Sequence, residues 1–226
     1  MRVACLSALS LIALPAIAET PLDKALAAPT DGPSYKFDYH FEDDALKADA
    51  EVDPSQPEGE RLKLVAPAAD TLEGDAAERY ESLRKSTSGD KIWCSSFNGN
   101  IPEDAELISE SGEAAVYRFR PRGDGEDKDM AKVFRHLTGR VTVSKETPSI
   151  LAFEMFSEKP FKPALAAKID SFSMKVSCDY APDGRTYIHD FALDLAGSAM
   201  MQPFSQSERR TISNLVPLPE TAAGQR

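Results

Sequence analysis

The segment Tyr35–Phe41, YKFDYHF, alternates without a break. Tyr35, Phe37, Tyr39 and Phe41 carry aromatic rings, and the intervening Lys36, Asp38 and His40 are polar. Successive side chains of a strand point to opposite faces, so this segment reads as a strand with one aromatic and one wet face. Four rings in a row need an apolar layer to lie against. The rest of the chain supplies strands of the same kind.

Glu42–Pro54 returns as a second strand ending at Asp53-Pro54, Gln56–Glu60 is a turn, and Arg61–Pro67 is a short strand with Leu62 and Leu64 on one side. Lys91–Phe97 reads as a further strand, holding the single tryptophan, Trp93. Ala105–Ser111 and Ala114–Pro121 form a hairpin around Ser111-Gly112. Gly139–Ser144 and Ser149–Ser157 form another across Lys145–Pro148. Phe161–Ala167 is a short connection. Three long strands follow: Lys168–Tyr180, Thr186–Met200 and Ser205–Asn214, with Ala181–Gly184 as a turn between the first two. One segment has helical spacing. In Asp70–Ser86, Ala76, Ala77, Tyr80 and Leu83 recur on one side, while Gly74 weakens the first turns. Met130–Leu137 is compatible with a helical turn or a strand lead-in. The class is mainly β (α+β), with consecutive hairpins giving an antiparallel meander and one main helix.

The first eighteen residues have the form of a cleavable signal peptide: Arg2, an apolar run Leu6–Leu14, and Ala16-Ile17-Ala18. Cleavage after Ala18 is expected, and the apolar run is too short to span a bilayer. The expected divisions are 1–18 signal peptide, 19–34 flexible leader rich in Ala, Pro and Asp, 35–214 antiparallel β domain, and 215–226 loose Pro-rich tail. The resulting expectation is an exported, soluble, acidic protein of the periplasm. Cleavage leaves Cys94 and Cys178 as the only cysteines. Two thiols in an oxidising compartment commonly pair, so a disulfide is expected rather than two separate buried thiols.

The formal charge of −11 disfavours nucleic acid and anionic lipid surfaces as general partners. His40, His136 and His189 lack the spacing of a metal site. No GxSxG elbow or glycine-rich phosphate loop occurs. The carboxylates from Glu42 to Glu60 read as a solvated hairpin face, and Asp124–Asp127 as a polar loop. Arg122-Gly123-Asp124 spells an adhesion tripeptide, a match too short to carry weight. No catalytic group, cofactor or metal is expected, and the chain is read as a non-enzyme. The large aromatic sets, Tyr35 to Phe41 and Phe153, Met155, Phe156 and Phe161, fit core packing first and the wall of an apolar cleft second.

The order VDPSQPEGERLKLV, helix, AAVYRFRP, HLTGRVTVSKETPSILAFEM and KPFKPALAAKIDSFSMKVSC resembles uncharacterised exported proteins of Gram-negative bacteria. These are similar in outline to lipoprotein-localisation carriers, the LolA/LolB-like superfamily. The likeness covers about Tyr35 to Asn214 and is most specific at Leu137-Thr138-Gly139-Arg140-Val141. It implies a curved antiparallel sheet wrapped about helices as an unclosed barrel that holds acyl chains. On that basis the expected function is a periplasmic binding or carrier-type protein with a lipophilic ligand against Tyr35, Phe37, Tyr39, Phe41, Tyr80 and Leu83. The alternative is an envelope protein that binds a protein partner and holds no ligand.

Overall fold

The computed structural model describes residues 19–122 and 128–219. The signal segment 1–18, the loop Asp124–Asp127, most of the Arg-Gly-Asp tripeptide and the tail end 220–226 lie outside the described residues.

The protein is mainly β, built on one unclosed antiparallel sheet of eleven strands. In chain order these are β1 (Tyr35–Asp43), β2 (Lys47–Val52), β3 (Leu62–Ala66), β4 (Glu106–Glu110), β5 (Ala114–Phe119), β6 (Leu137–Ser144), β7 (Ser149–Ser157), β8 (Phe161–Ala164), β9 (Ala167–Tyr180), β10 (Thr186–Ala199) and β11 (Gln202–Pro217). Across the sheet the order is β3-β2-β1-β11-β10-β9-β7-β6-β5-β4, with β8 also on β9. Most neighbours are hairpins. The long-range pairing of β1 with β11 joins the two ends of the β domain.

Strand β1 shows why the alternation folds as it does. Phe41, Tyr39 and Phe37 stand opposite Ala48, Ala50 and Val52 of β2, so large rings face small side chains and the layer fills without overlap. Tyr35, Phe37 and Phe41 are buried and Tyr39 is half-buried. Burial of each such ring is worth about 1.5–3 kcal/mol. The wet face is laced by cross-strand pairs: His40 Nδ1 to Asp49 at 2.7 Å, Lys47 to Glu42 at 2.7 Å and Lys36 to Glu51 at 2.8 Å. Much of the carboxylate run is accordingly a solvated face, with each exposed pair worth at most about 1 kcal/mol.

The apolar face carries two clusters. One lies over β5, β6, β7 and β9, around Tyr117, Phe119, Val141, Phe153 and Val176. The other lies over β1, β2 and β3, beneath helix α2 (Gly74–Ser86). Gly139 of the Leu-Thr-Gly-Arg-Val run stands opposite Phe119, whose ring would come within 2.2 Å of a Cβ at that position. That glycine exists to admit a ring.

Several expectations need correction. The leader is not wholly irregular. Pro21–Leu26 forms a helix, α1, started by a reciprocal cap between Thr20 and Asp23, and it buries Leu22 and Ala25 in the first cluster. A single capped turn and a half is too short to show a period, so the cap and Pro21 decide. Lys91–Phe97 is not a strand. Cys94–Asn100, CSSFNGN, winds into 3-10 turns, as its Ser, Asn and Gly content favours, and only Trp93 bridges to the sheet, at Tyr187. The main helix is shorter than Asp70–Ser86. Ala69–Thr71 is a separate 3-10 turn, and Gly74 at φ +55° begins α2. Phe161–Ala167 contains the edge strand β8. Lys128–Phe134 is a helix, α3. The tail starts later than expected: β11 runs to Pro217, and Leu218 donates its N–H to the Ser34 carbonyl at 2.8 Å. Among the described residues no helix is long and apolar enough to cross a membrane.

Candidate functional site

A cavity of about 270 Å³ lies between α2 and the sheet. Its floor is Phe37 and Tyr39 of β1, Val52 of β2, Ile188 and Phe191 of β10, and Arg210 and Ile212 of β11. Leu83 and Arg79 of α2 close it from above, and the segment after the helix, through Lys91 and Ile92, forms one side.

The pairing registers explain why these side chains meet. Tyr39 faces Ile212, Phe41 faces Arg210, and Arg210 faces Phe191 across β10. Even-numbered residues of β11 around this point therefore share the face of the odd-numbered residues of β1. The face of the sheet beneath α2 thus presents mostly apolar side chains, with one strip of charge beside them.

That strip is a four-membered ionic cluster. Arg79 of α2 donates from Nε to Asp43 Oδ2 at 2.6 Å and from Nη2 to Glu208 Oε2 at 3.4 Å. Arg210 pairs with the other oxygen of Glu208. The guanidinium of Arg79 also lies over Phe41 at 4.7 Å, and that of Arg210 over Phe191 at 4.9 Å. Asp43 accepts in addition from the backbone N–H groups of Ala45 and Leu46, both at 2.9 Å. Burial works to raise the Asp43 pKa, but Arg79 and the two backbone donors outweigh it, and the net direction is down.

Tyr39 is different. Burial pushes its phenol up to about 12, with the nearby charges of Arg210, Glu208 and Arg79 acting in both directions. The phenol is therefore neutral at any physiological pH. Among the described residues its hydroxyl has no protein partner, which leaves a donor and an acceptor at the cavity wall. The site thus offers an apolar floor, the neutral hydroxyl of Tyr39, and a polar margin made of Ser86, Thr87, Ser88, Lys91 and the charge-balanced cluster of Arg79, Asp43, Glu208 and Arg210.

Of the six residues expected to contact a ligand, Phe37, Tyr39 and Leu83 line the cavity. Tyr35 lies outside it, buried edge-on to Trp93 with centroids 5.8 Å apart. Phe41 is buried beneath Arg79, and Tyr80 packs against the second cluster. Arg79, Phe191, Arg210 and Ile212 were not anticipated. A signal existed for two of them: in SERRTISN, Glu208, Arg210 and Ile212 share strand parity, which places Arg210 on the apolar side. Cys94 and Cys178 are bonded, with Cα atoms 6.4 Å apart. The histidines are dispersed. His40 pairs with Asp49, His136 stacks on Phe161 and His189 contacts the Ile212 carbonyl.

A second space of about 580 Å³ lies between α1 and the turns at Thr147 and Asp183. It is larger and its walls are largely apolar, but they are short side chains such as Ala25, Ala27, Ala28, Pro29 and Pro148, carried on α1 and on connecting segments rather than on the sheet face. The smaller cavity opens onto the aromatic face of the sheet, and we take it as the candidate site.

Replacement of Arg79 by Met should cost about 2 kcal/mol. The cost stays below that of a fully stranded pair because Glu208 keeps Arg210 and Asp43 keeps its backbone donors. The pH dependence has a definite sign. A carboxyl with a lowered folded-state pKa contributes stability above its unfolded value, about 3.9, and loses it as pH falls through the folded value. Hydrogen exchange should show α2 loosening in acid in the parent. Arg79→Met should be loose already at neutral pH, with a smaller further change on acidification.

In comparisons with known proteins, no family model, no curated protein and no solved structure matches this chain.

Proposed function

We propose that this is an exported, periplasmic binding or carrier-type protein that holds the apolar part of a small amphiphile between α2 and the half-open sheet. The observation that carries the reading is the cavity itself. Phe37, Leu83, Ile188, Phe191 and Ile212 form its apolar wall, and Tyr39 and Arg210 place a neutral hydroxyl and a guanidinium beside it. Pockets that combine an apolar lining with a few convergent polar groups are the usual form of a small-molecule site. The Cys94–Cys178 bond suits an oxidising compartment, in keeping with the signal-like N-terminus. The LolA/LolB-like resemblance supports the same reading.

Size narrows the ligand. At about 30 Å³ per water-sized group, the cavity takes roughly nine such groups. One short apolar segment fits, and several acyl chains do not. The polar margin suits a hydroxyl, carbonyl or single negative charge at the head. Nothing in the lining pairs an acid with a base, so the site is read as holding its ligand unchanged.

Native mass spectrometry of protein purified from its own periplasm should show a bound small amphiphile, released on extraction with organic solvent. A protein that carries no adduct and binds no fluorescent acyl probe would reject the ligand reading. The envelope protein that binds a protein partner would then stand in front.

A further inference from the structure

Two hairpin tips at the end of the sheet away from the cavity carry the most exposed large apolar side chains described in the protein. Leu165 lies in the turn between β8 and β9 and is fully exposed; Met200 and Met201, between β10 and β11, are 80% and 94% exposed. The tips are joined, since Met200 donates its N–H to the Ala166 carbonyl at 2.8 Å. The three side chains therefore project from one small platform.

The backbone of the Met-Met turn makes the choice of residues informative. Ala199 pairs with Gln202, so the connection has two residues, and both have positive φ, 50° for Met200 and 67° for Met201. This is the type I′ arrangement, which favours Asn-Gly because a Cβ is disfavoured in the left-handed region. Two methionines satisfy neither the backbone preference nor the solvent. Folding alone does not account for them.

We propose that this tip is a membrane-contact site, where Leu165, Met200 and Met201 enter the interfacial region of a lipid bilayer. Three features favour lipid over a protein partner. The tip consists of two hairpin turns whose long, flexible side chains are almost wholly exposed. Three side chains cannot by themselves supply the roughly 1,000 Å² that a stable protein interface needs, whereas insertion into lipid needs no complementary surface. The surrounding charge is also suitable. Lys162 and Lys168 lie three residues to either side of Leu165, and Lys159 precedes them. Lys168 is paired with Asp170 at 2.5 Å, while Lys159 and Lys162 have no ion pair among the described residues. With Lys168 offset by Asp170 and Glu158 beside Lys159 in sequence, the tip of this acidic chain carries a small local excess of positive charge, centred on Lys162, which favours anionic headgroups.

The test uses the mature chain and vesicles of phosphatidylcholine with or without added phosphatidylglycerol. The parent should co-float with vesicles, more strongly when phosphatidylglycerol is present. A Leu165→Ser, Met200→Asn, Met201→Gly variant should lose binding by roughly a hundredfold, because the apolar groups that enter the lipid are gone. The same variant should melt at a temperature no lower than the parent, because Asn-Gly suits the turn, so lost binding cannot be ascribed to lost folding. Unchanged flotation of the variant overturns the proposal. A parent that binds neither vesicle also overturns it and assigns the tip to a protein partner. Equal binding to both vesicle types removes the role given to the lysines. An acyl probe read in parallel keeps this separate from the cavity: the tip variant should bind the probe as the parent does, and a parent that floats without binding the probe fails only the ligand reading.

Discussion

A Cys94→Ala, Cys178→Ala protein is expected to be less stable than the parent by about 4 to 5 kcal/mol, the chain-entropy value for a closed loop of this length. The bond joins residues 84 apart in sequence, and no shorter covalent tie restricts the unfolded chain between them. Cys94 is fully buried at the start of the 3-10 segment, and Cys178 lies on β9. The bond therefore also pins the Lys91–Asn100 stretch to the sheet. Lys91 and Ile92 form part of the cavity wall, and Ile92 accepts a backbone hydrogen bond from Ile188 at 2.7 Å. Reduction should consequently loosen the site as well as the fold. Urea unfolding with and without reductant measures the first effect, and acyl-probe affinity under mild reduction measures the second. A loss below about 1 kcal/mol would mean that the unfolded chain is already compacted across this loop.

The parts of the fold that were legible in the sequence are those whose signal is local. Alternation in Tyr35–Phe41 identified β1 and its buried face because a two-faced strand writes its environment into every second residue. The hairpins around Ser111-Gly112, Lys145–Pro148 and Ala181–Gly184 were legible for the same reason. The pairing of β1 with β11 was not, because no local pattern distinguishes a strand's distant partner from its hairpin partner. The ionic cluster lies beyond reach in the same way: Arg79 and Asp43 are 36 residues apart, and Arg79 and Glu208 are 129 apart. The aromatic stripe lies in the layer that borders the cavity, but the sequence does not divide its rings between core and cavity wall. Trp93 covers Tyr35 and Arg79 covers Phe41, and both covers come from outside the strand. Only Phe37 and Tyr39 are left to face the open space.

That division yields a comparison within one strand. Phe37 and Phe41 have the same side chain and are almost equally buried, at 3% and 1% exposure. A fully packed Phe replaced by Ala costs about 3–5 kcal/mol, and the value depends on how many contacts the ring had to lose. Phe37 borders the cavity, so part of its surface already lacks a neighbour. Phe37→Ala should therefore fall at the low end, about 3 kcal/mol, while Phe41→Ala, beneath the Arg79 guanidinium, should cost at least as much. For ligand binding the order reverses. Phe37→Ala removes a wall against which the apolar segment lies, and acyl-probe affinity should fall about tenfold, or 1.4 kcal/mol. Phe41→Ala should leave the probe affinity within about twofold, since its ring does not reach the cavity. Chemical unfolding and probe titration on the same two proteins give both orders. Equal loss of probe affinity in the two variants would mean that stability alone governs binding, and the cavity would lose its claim to be the site.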